Sequence, residues 1–231
     1  MSHTNTDSNT DSNTDSITDS ITDTITDSNT DLNMTINQNS VITCQEQQYN
    51  EHGTLRLFVG PMYAGKTSKL IETYSEAIKN DQEIIVLTHS SEIRYSVDQL
   101  STHDQKRISC FKFDKINTFV QDKQNEISKS HVILIDEAQF FDDLLEIREL
   151  VDIHHKQVFV FGLDGDFKRN KFGQILDLIP YCDSVEKLNA KCNLCNSPAI
   201  FSCRIINDDQ QVLIGSNESY QPMCRKCYNS K

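Results

Sequence analysis

Residues 54–70 read "TLRLFVGPMYAGKTSKL", and their order decides the fold. An apolar run through Val59 has the character of a strand. From Thr67 onward Leu70, Ile71, Tyr74, Ala77 and Ile78 recur three and four apart, the period of a helix. Between them "GPMYAGKT" (60–67) satisfies G-x-x-x-x-G-K-[ST], in the position a phosphate loop must occupy. Gly60 and Gly65 permit a tight turn that points successive backbone N–H groups at phosphate oxygens. The helix N-terminus adds positive potential. Lys66 is placed to reach the β and γ phosphates, and the Thr67 hydroxyl to ligate Mg²⁺. This segment implies binding of a nucleoside triphosphate, but it does not separate a motor, a switch, a helicase or a kinase.

Downstream, "EIIVLTH" (83–89), "HVILID" (131–136) and "QVFVFGLDGD" (157–166) read as three more strands, and "DDLLEIRELVDIHHK" (142–156) as a helix. Strands that are apolar throughout and alternate with helices predict an α/β fold, a P-loop NTPase-like parallel sheet with helices on both faces. This layer is expected over residues 53–190, followed by a small zinc-binding lasso or lid at 191–231.

The first 50 residues differ from the rest. Asp recurs at 7, 11, 15, 19, 23, 27 and 31 among Ser, Thr and Asn. Those side chains compete with a helical backbone, and like charges four apart repel, so residues 1–50 are expected to be a disordered low-complexity tail. The tail lacks the basic start and apolar core of a signal peptide, and is too acidic for a mitochondrial presequence. The seven tail aspartates account for over half of the net charge of −12, so the remainder is mildly acidic. A basic face for nucleic acid is not indicated, nor is a membrane helix of about 20 apolar residues. The expected location is cytoplasmic.

"VILIDEAQFF" (132–141) sets two acids at a strand end. Asp136 lies 70 residues after Lys66, the place of the second metal-site acid in this architecture. Glu137 would then lie within reach of the γ-phosphate, able to take a proton from the attacking group. Water as attacker makes an ATPase, and a substrate alcohol makes a kinase. "DEAQ" is also close to helicase boxes, but the acidic balance and modest length leave little room for a second motor domain or a nucleic-acid path. The aromatics after the acids suit either a pocket wall for a flat ring or simple core packing.

Eight cysteines are present, and four form two C-x-x-C pairs, Cys192 with Cys195 and Cys224 with Cys227, with 28 residues between the pairs. Without an export signal this spacing favours Zn²⁺ over disulfides. A closed four-thiolate site has no open coordination position, so the metal is expected to serve folding. It would pin the intervening loop at both ends, beside the nucleotide site, as a lid.

"GPMYAGKTSKL", "RYSVDQLSTHD", "ILIDEAQFF", "LDGDFKRNKFG" and the spaced cysteine pairs together resemble the zinc-containing thymidine kinases of the cytosolic, cellular and poxviral type, over residues 54–228. The resemblance implies transfer of the γ-phosphoryl group of ATP to the 5′-hydroxyl of thymidine, with Glu137 as catalytic proton acceptor. It implies that ATP is contacted by Gly60, Pro61, Met62, Tyr63, Ala64, Gly65, Lys66 and Thr67, by Glu92, Ile93 and Arg94, and by Asp136, Glu137, Ala138 and Gln139. Thr67 and Asp136 would hold Mg²⁺. The nucleoside pocket would comprise Met62, Phe140, Leu163, Phe167, Phe172 and Tyr220. The backbone of Val212, Leu213, Ile214, Gly215 and Ser216 would hydrogen-bond the base edge. A homotetramer and feedback inhibition by dTTP are implied in the same way. Asp166, Ser202 and Glu92 depart from the family's usual residues; a serine at 202, near the expected base methyl, bears on discrimination between thymidine and deoxyuridine. Two competing readings are an ATPase or helicase-like module with a zinc ribbon, and a catalytically weak nucleoside-binding protein.

Overall fold

In a computed structural model of the chain, the described residues are 52–91, 100–101, 107–108, 110–211 and 218–231. The acidic tail, Glu92 to Arg94 and Val212 to Ser216 lie outside them.

The phosphate-loop segment forms β1 (Thr54–Val59) and α1 (Lys66–Lys79). Then follow β2 (Ile84–His89), a two-residue antiparallel pair β3 (Leu100–Ser101) and β4 (Arg107–Ile108), and β5 (Cys110–Phe113). Helices α2 (Ile116–Asp122) and α3 (Gln124–Lys129) lead to β6 (Val132–Asp136), α4 (Ile147–Asp152), β7 (Gln157–Gly162) and β8 (Ser184–Lys187). The main sheet has the order β5-β2-β6-β7-β1-β8 among the described residues, and each neighbouring pair is parallel. Parallel pairing needs both faces covered, and the apolar strands supply that. On one face Leu70 and Ala77 of α1 pack with Phe58, Val86, Leu134 and Phe161. On the other, Phe119 of α2, Ile127 of α3 and Leu150 of α4 pack with Leu57, Leu87, Ile133, Ile135 and Val160. Complete burial of Leu70 contributes about 1.5–3 kcal/mol.

Six strands replace the four expected, and the additions, β5 and β8, are the two sheet edges. The strand expected to reach Asp166 ends at Gly162, because the Leu163 N–H turns to the Gln139 side-chain oxygen at 2.9 Å. The helix expected over 142–156 is reduced to a 3-10 turn at Leu144–Glu146 followed by α4. Its first residues are diverted: the Asp143 carboxylate accepts the Ile116 and Asn117 N–H groups at 2.9 and 3.0 Å, capping α2 from outside. At its other end His155 takes a positive φ of 52°.

The C-terminal lobe contains β9 (Ala190–Lys191) paired with β10 (Pro198–Ala199), β11 (Phe201–Arg204) paired with β12 (Tyr220–Met223), and α5 (Arg225–Asn229). Both pairs are antiparallel. The stretch between the cysteine pairs is thus partly a sheet, not one open loop.

Candidate active site and zinc centre

The phosphate loop is shaped by two glycines with different physical requirements. Gly60 has φ 155°, and a Cβ there would lie 2.4 Å from the Leu188 carbonyl oxygen. Gly65 has φ 86° and open space around it, so conformation alone demands glycine. It is the N-cap of α1, and the Lys69 N–H reaches its carbonyl at 2.9 Å. The Lys66 ammonium lies across the loop, donating to the Pro61 and Gly60 carbonyls at 2.8 and 3.3 Å. Tyr63 stands exposed at φ 66°, and Ala64 donates to the Pro61 carbonyl at 3.3 Å. Thr67 is half-buried in the first turn of α1.

Asp136, 2 % exposed, ends β6. One of its oxygens accepts the Glu137 N–H at 2.9 Å. The chain then turns sharply, since Glu137 itself has φ 52°, and a 3-10 turn follows over Ala138–Phe140. A left-handed conformation at a non-glycine residue costs about 1–3 kcal/mol and marks a position that the surroundings enforce. The Asp136 carboxylate holds the backbone N–H of this turn, and Gln139 holds the Glu137 side chain. The Gln139 amide nitrogen donates to Glu137 Oε2 at 2.6 Å, while its oxygen accepts from Leu163. The Gln139 backbone is in turn clasped by Gly173, where a Cβ would meet the Gln139 carbonyl oxygen at 2.2 Å. Glu137 therefore stays half-buried with its carboxylate fixed from one side. Gln139, one of the residues expected to contact ATP, also holds the acid.

Phe140 and Phe172 meet edge to face with ring centres 5.7 Å apart, whereas Phe141 is core. Leu163 and Phe167 lie half-buried in the loop after β7. Met62 belongs to the phosphate loop, yet its N–H donates to Ser202 Oγ of β11 at 2.9 Å. The serine that departs from the family pattern thereby joins the C-terminal lobe to the nucleotide loop.

Two residues outside the expected site organise the rest: Arg204, which no motif marks, and Asp166, noted above only as a departure from the family's usual residue. Arg204, 4 % exposed, lays its guanidinium 3.7 Å from the Phe167 ring centre and 5.0 Å from that of Tyr220. It donates to the Asp208 carbonyl at 2.8 Å and the Gln211 carbonyl at 3.2 Å, and also to the Gln210 carbonyl and the Tyr220 hydroxyl. The buried Asp166 carboxylate accepts the Lys168 and Asn170 N–H groups at 2.8 and 2.9 Å and the Gln211 amide at 3.0 Å. The loop carrying Phe167 and the irregular segment from β11 to residue 211 are thus tied together. Arg204→Lys should lower unfolding stability by about 1–3 kcal/mol in denaturant titration, because an ammonium cannot reproduce the planar fork and leaves buried carbonyls unpaired. An unchanged midpoint would refute that role.

The cysteines Cys192, Cys195, Cys224 and Cys227 bring their sulfurs within 4.8 Å of one another. Cys195 and Cys224 are 3.6 Å apart, close to the edge of about 3.8 Å that Zn–S bonds of 2.3 Å give a tetrahedron. Asn196 at φ 62° closes the first turn, with its N–H on the Cys192 carbonyl at 2.9 Å. Cys224 caps α5, accepting from the Cys227 N–H at 3.5 Å. Backbone donors, foremost that of Cys224, bring the Cys192 thiol down to about 6. The neighbouring sulfurs, Cys195 first, push Cys227 up to about 12. The four sulfurs could become thiolates together only around a cation, and the donor set fits zinc.

A family model described as thymidine kinase matches residues 53–228. A thymidine kinase of Oryza sativa subsp. japonica is 40 % identical over 190 residues, covering 80 % of this chain and 70 % of the relative. Thymidine kinase a of Arabidopsis thaliana is 38 % identical over 178 residues, 76 % of this chain and 75 % of the relative. Sheeppox virus (strain KS-1) thymidine kinase is 35 % identical over 178 residues, 77 % and 98 % of the two chains.

Proposed function

The chain belongs to the thymidine kinase family, and from that premise we propose how its residues move a phosphoryl group from ATP to the 5′-hydroxyl of thymidine. The observation that carries this reading is Glu137. It follows the buried Asp136 at a strand end and is held there by left-handed backbone and the Gln139 amide.

The backbone N–H groups of residues 60–67 and the N-terminus of α1 receive the triphosphate. Lys66 neutralises charge on the transferred group, and Glu92, Ile93 and Arg94 are assigned to ATP binding on the resemblance alone. Thr67 and Asp136 are the hard oxygen donors that would hold Mg²⁺, and the ion would supply neutralisation of the charge on the transferred phosphoryl group. Glu137 accepts the proton of the thymidine 5′-hydroxyl as that oxygen bonds to the γ phosphorus. The bond from that phosphorus to the β–γ bridging oxygen breaks, leaving dTMP and ADP. Met62, Phe140, Leu163, Phe167, Phe172 and Tyr220 wall the nucleoside pocket, and the backbone of Val212 to Ser216 reads the base edge. A site that pairs with one base edge rejects a mismatched base because polar groups would be left unpaired.

Residues 53–190 act as the ATP-binding domain, and 191–231 as a lid whose four thiolates hold a structural Zn²⁺. A homotetramer, inhibition by dTTP and a cytoplasmic location complete the proposal. Among the described residues no helix is long and apolar enough to cross a membrane. The tail takes no part in catalysis, so a chain lacking residues 1–45 should keep wild-type kcat/KM, and a large shift would refute this.

ADP release from Mg-ATP tests the reading when thymidine, deoxyuridine, deoxycytidine or single-stranded DNA is added in turn. Dependence on thymidine with deoxycytidine inert supports it. Release driven by DNA and indifferent to nucleosides would favour the ATPase alternative.

A further inference from the structure

Thr88, next to last in β2, is fully buried, and its hydroxyl has no hydrogen-bond partner among the described residues. Such a group loses its hydration and gains nothing from the protein, which makes it a poor choice for core packing alone. Strand alternation fixes its direction. Ile85 and Leu87 belong to the core beneath α2 to α4, whereas Val86 packs with Leu70 and Ala77 of α1. Thr88 therefore faces α1. By the same alternation Leu134 packs on the α1 side, so Asp136 faces that way too. The register sets Thr88 between Asp136 on β6 and Lys112 on β5. The row ends on the α1 face, at the end of the sheet that carries Glu137. Thr88 is one strand spacing, about 4.8 Å, from the Asp136 backbone.

We propose that Thr88 is a positioning residue for the divalent cation, its hydroxyl hydrogen-bonding a water of the cation's shell that Asp136 also engages. The inference rests on the kinase reading above. A hydrated Mg²⁺ keeps several waters when bound by few carboxylates, and partners that orient such an outer shell commonly change metal affinity or activity by about 10–100-fold. The buried hydroxyl beside the metal-site acid is suited to that task by both position and unmet hydrogen-bonding capacity.

Thr88→Val keeps the shape and removes the hydroxyl. Without added Mg²⁺ or nucleotide its Tm should equal or exceed that of the wild type, since a buried polar group without a partner is gone. By calorimetry without nucleoside, the Mg²⁺ concentration for half-maximal ATP binding should rise about tenfold. Thr88→Ser should restore the wild-type Mg²⁺ requirement. A valine variant with an unchanged requirement, whatever its Tm, overturns the inference, as does a raised requirement that serine does not restore. The kinase reading is tested separately, by thymidine-dependent ADP release in the wild type.

Discussion

Glu137→Gln is expected to bind ATP and thymidine as the wild type does and to lose roughly two to four orders of magnitude in kcat. The substitution keeps the size of the side chain and the hydrogen-bonding reach to Gln139, whose amide sits 2.6 Å from Glu137 Oε2. What it removes is a carboxylate able to accept the proton of the attacking hydroxyl. KM for both substrates should therefore stay within a few-fold while turnover collapses. Steady-state rates combined with direct nucleoside binding check this. Turnover near the wild-type value would show that another base acts, and would return Glu137 to an orienting role like that of its neighbour Gln139.

Cys192→Ser is expected to release the zinc and to raise the nucleoside KM strongly. Structural zinc binding is worth about 10–16 kcal/mol in small zinc-finger peptides, far more than the short pairs β9–β10 and β11–β12 can replace. The damage should spread beyond the metal. β11 carries Ser202, which receives the Met62 N–H of the phosphate loop, and Arg204, which packs on Phe167. Metal content by elemental analysis, together with the KM for thymidine, is the check. A variant that retained one zinc per chain and a normal KM would mean that the four thiolates are not the ligand set.

The parts legible in the sequence are those fixed by local geometry. Gly60 and Gly65 could be read because the loop needs backbone that other residues rarely adopt, and both take it. The apolar spacing from Leu70 to Ile78 follows α1, and the two C-x-x-C pairs converge. What escaped depends on distant partners. All four residues of β8, "SVEK", are exposed, so no burial pattern marks them, and only pairing with β1 makes them a strand. Apolar Leu163 prolongs the pattern of β7, but a glutamine 24 residues earlier in the chain takes its N–H. Asp143 reads as the start of a helix, and instead caps another one. Arg204 stands alone in "SCR" with no motif around it. Its role arises only when Phe167, Tyr220 and the carbonyls of 208–211 gather around one guanidinium. The residues at 92–94 and 212–216, expected by resemblance to bind ATP and the base, lie outside the described residues.

The most direct measurement is the stoichiometry of dTMP formed to ATP consumed by the full-length wild-type chain with Mg²⁺ and saturating thymidine. If the proton accepted by Glu137 comes from the 5′-hydroxyl, one dTMP appears for each ATP, with no inorganic phosphate beyond the background. Inorganic phosphate in place of dTMP would mean that water attacks the γ phosphorus, and would contradict the assignment of thymidine as the acceptor.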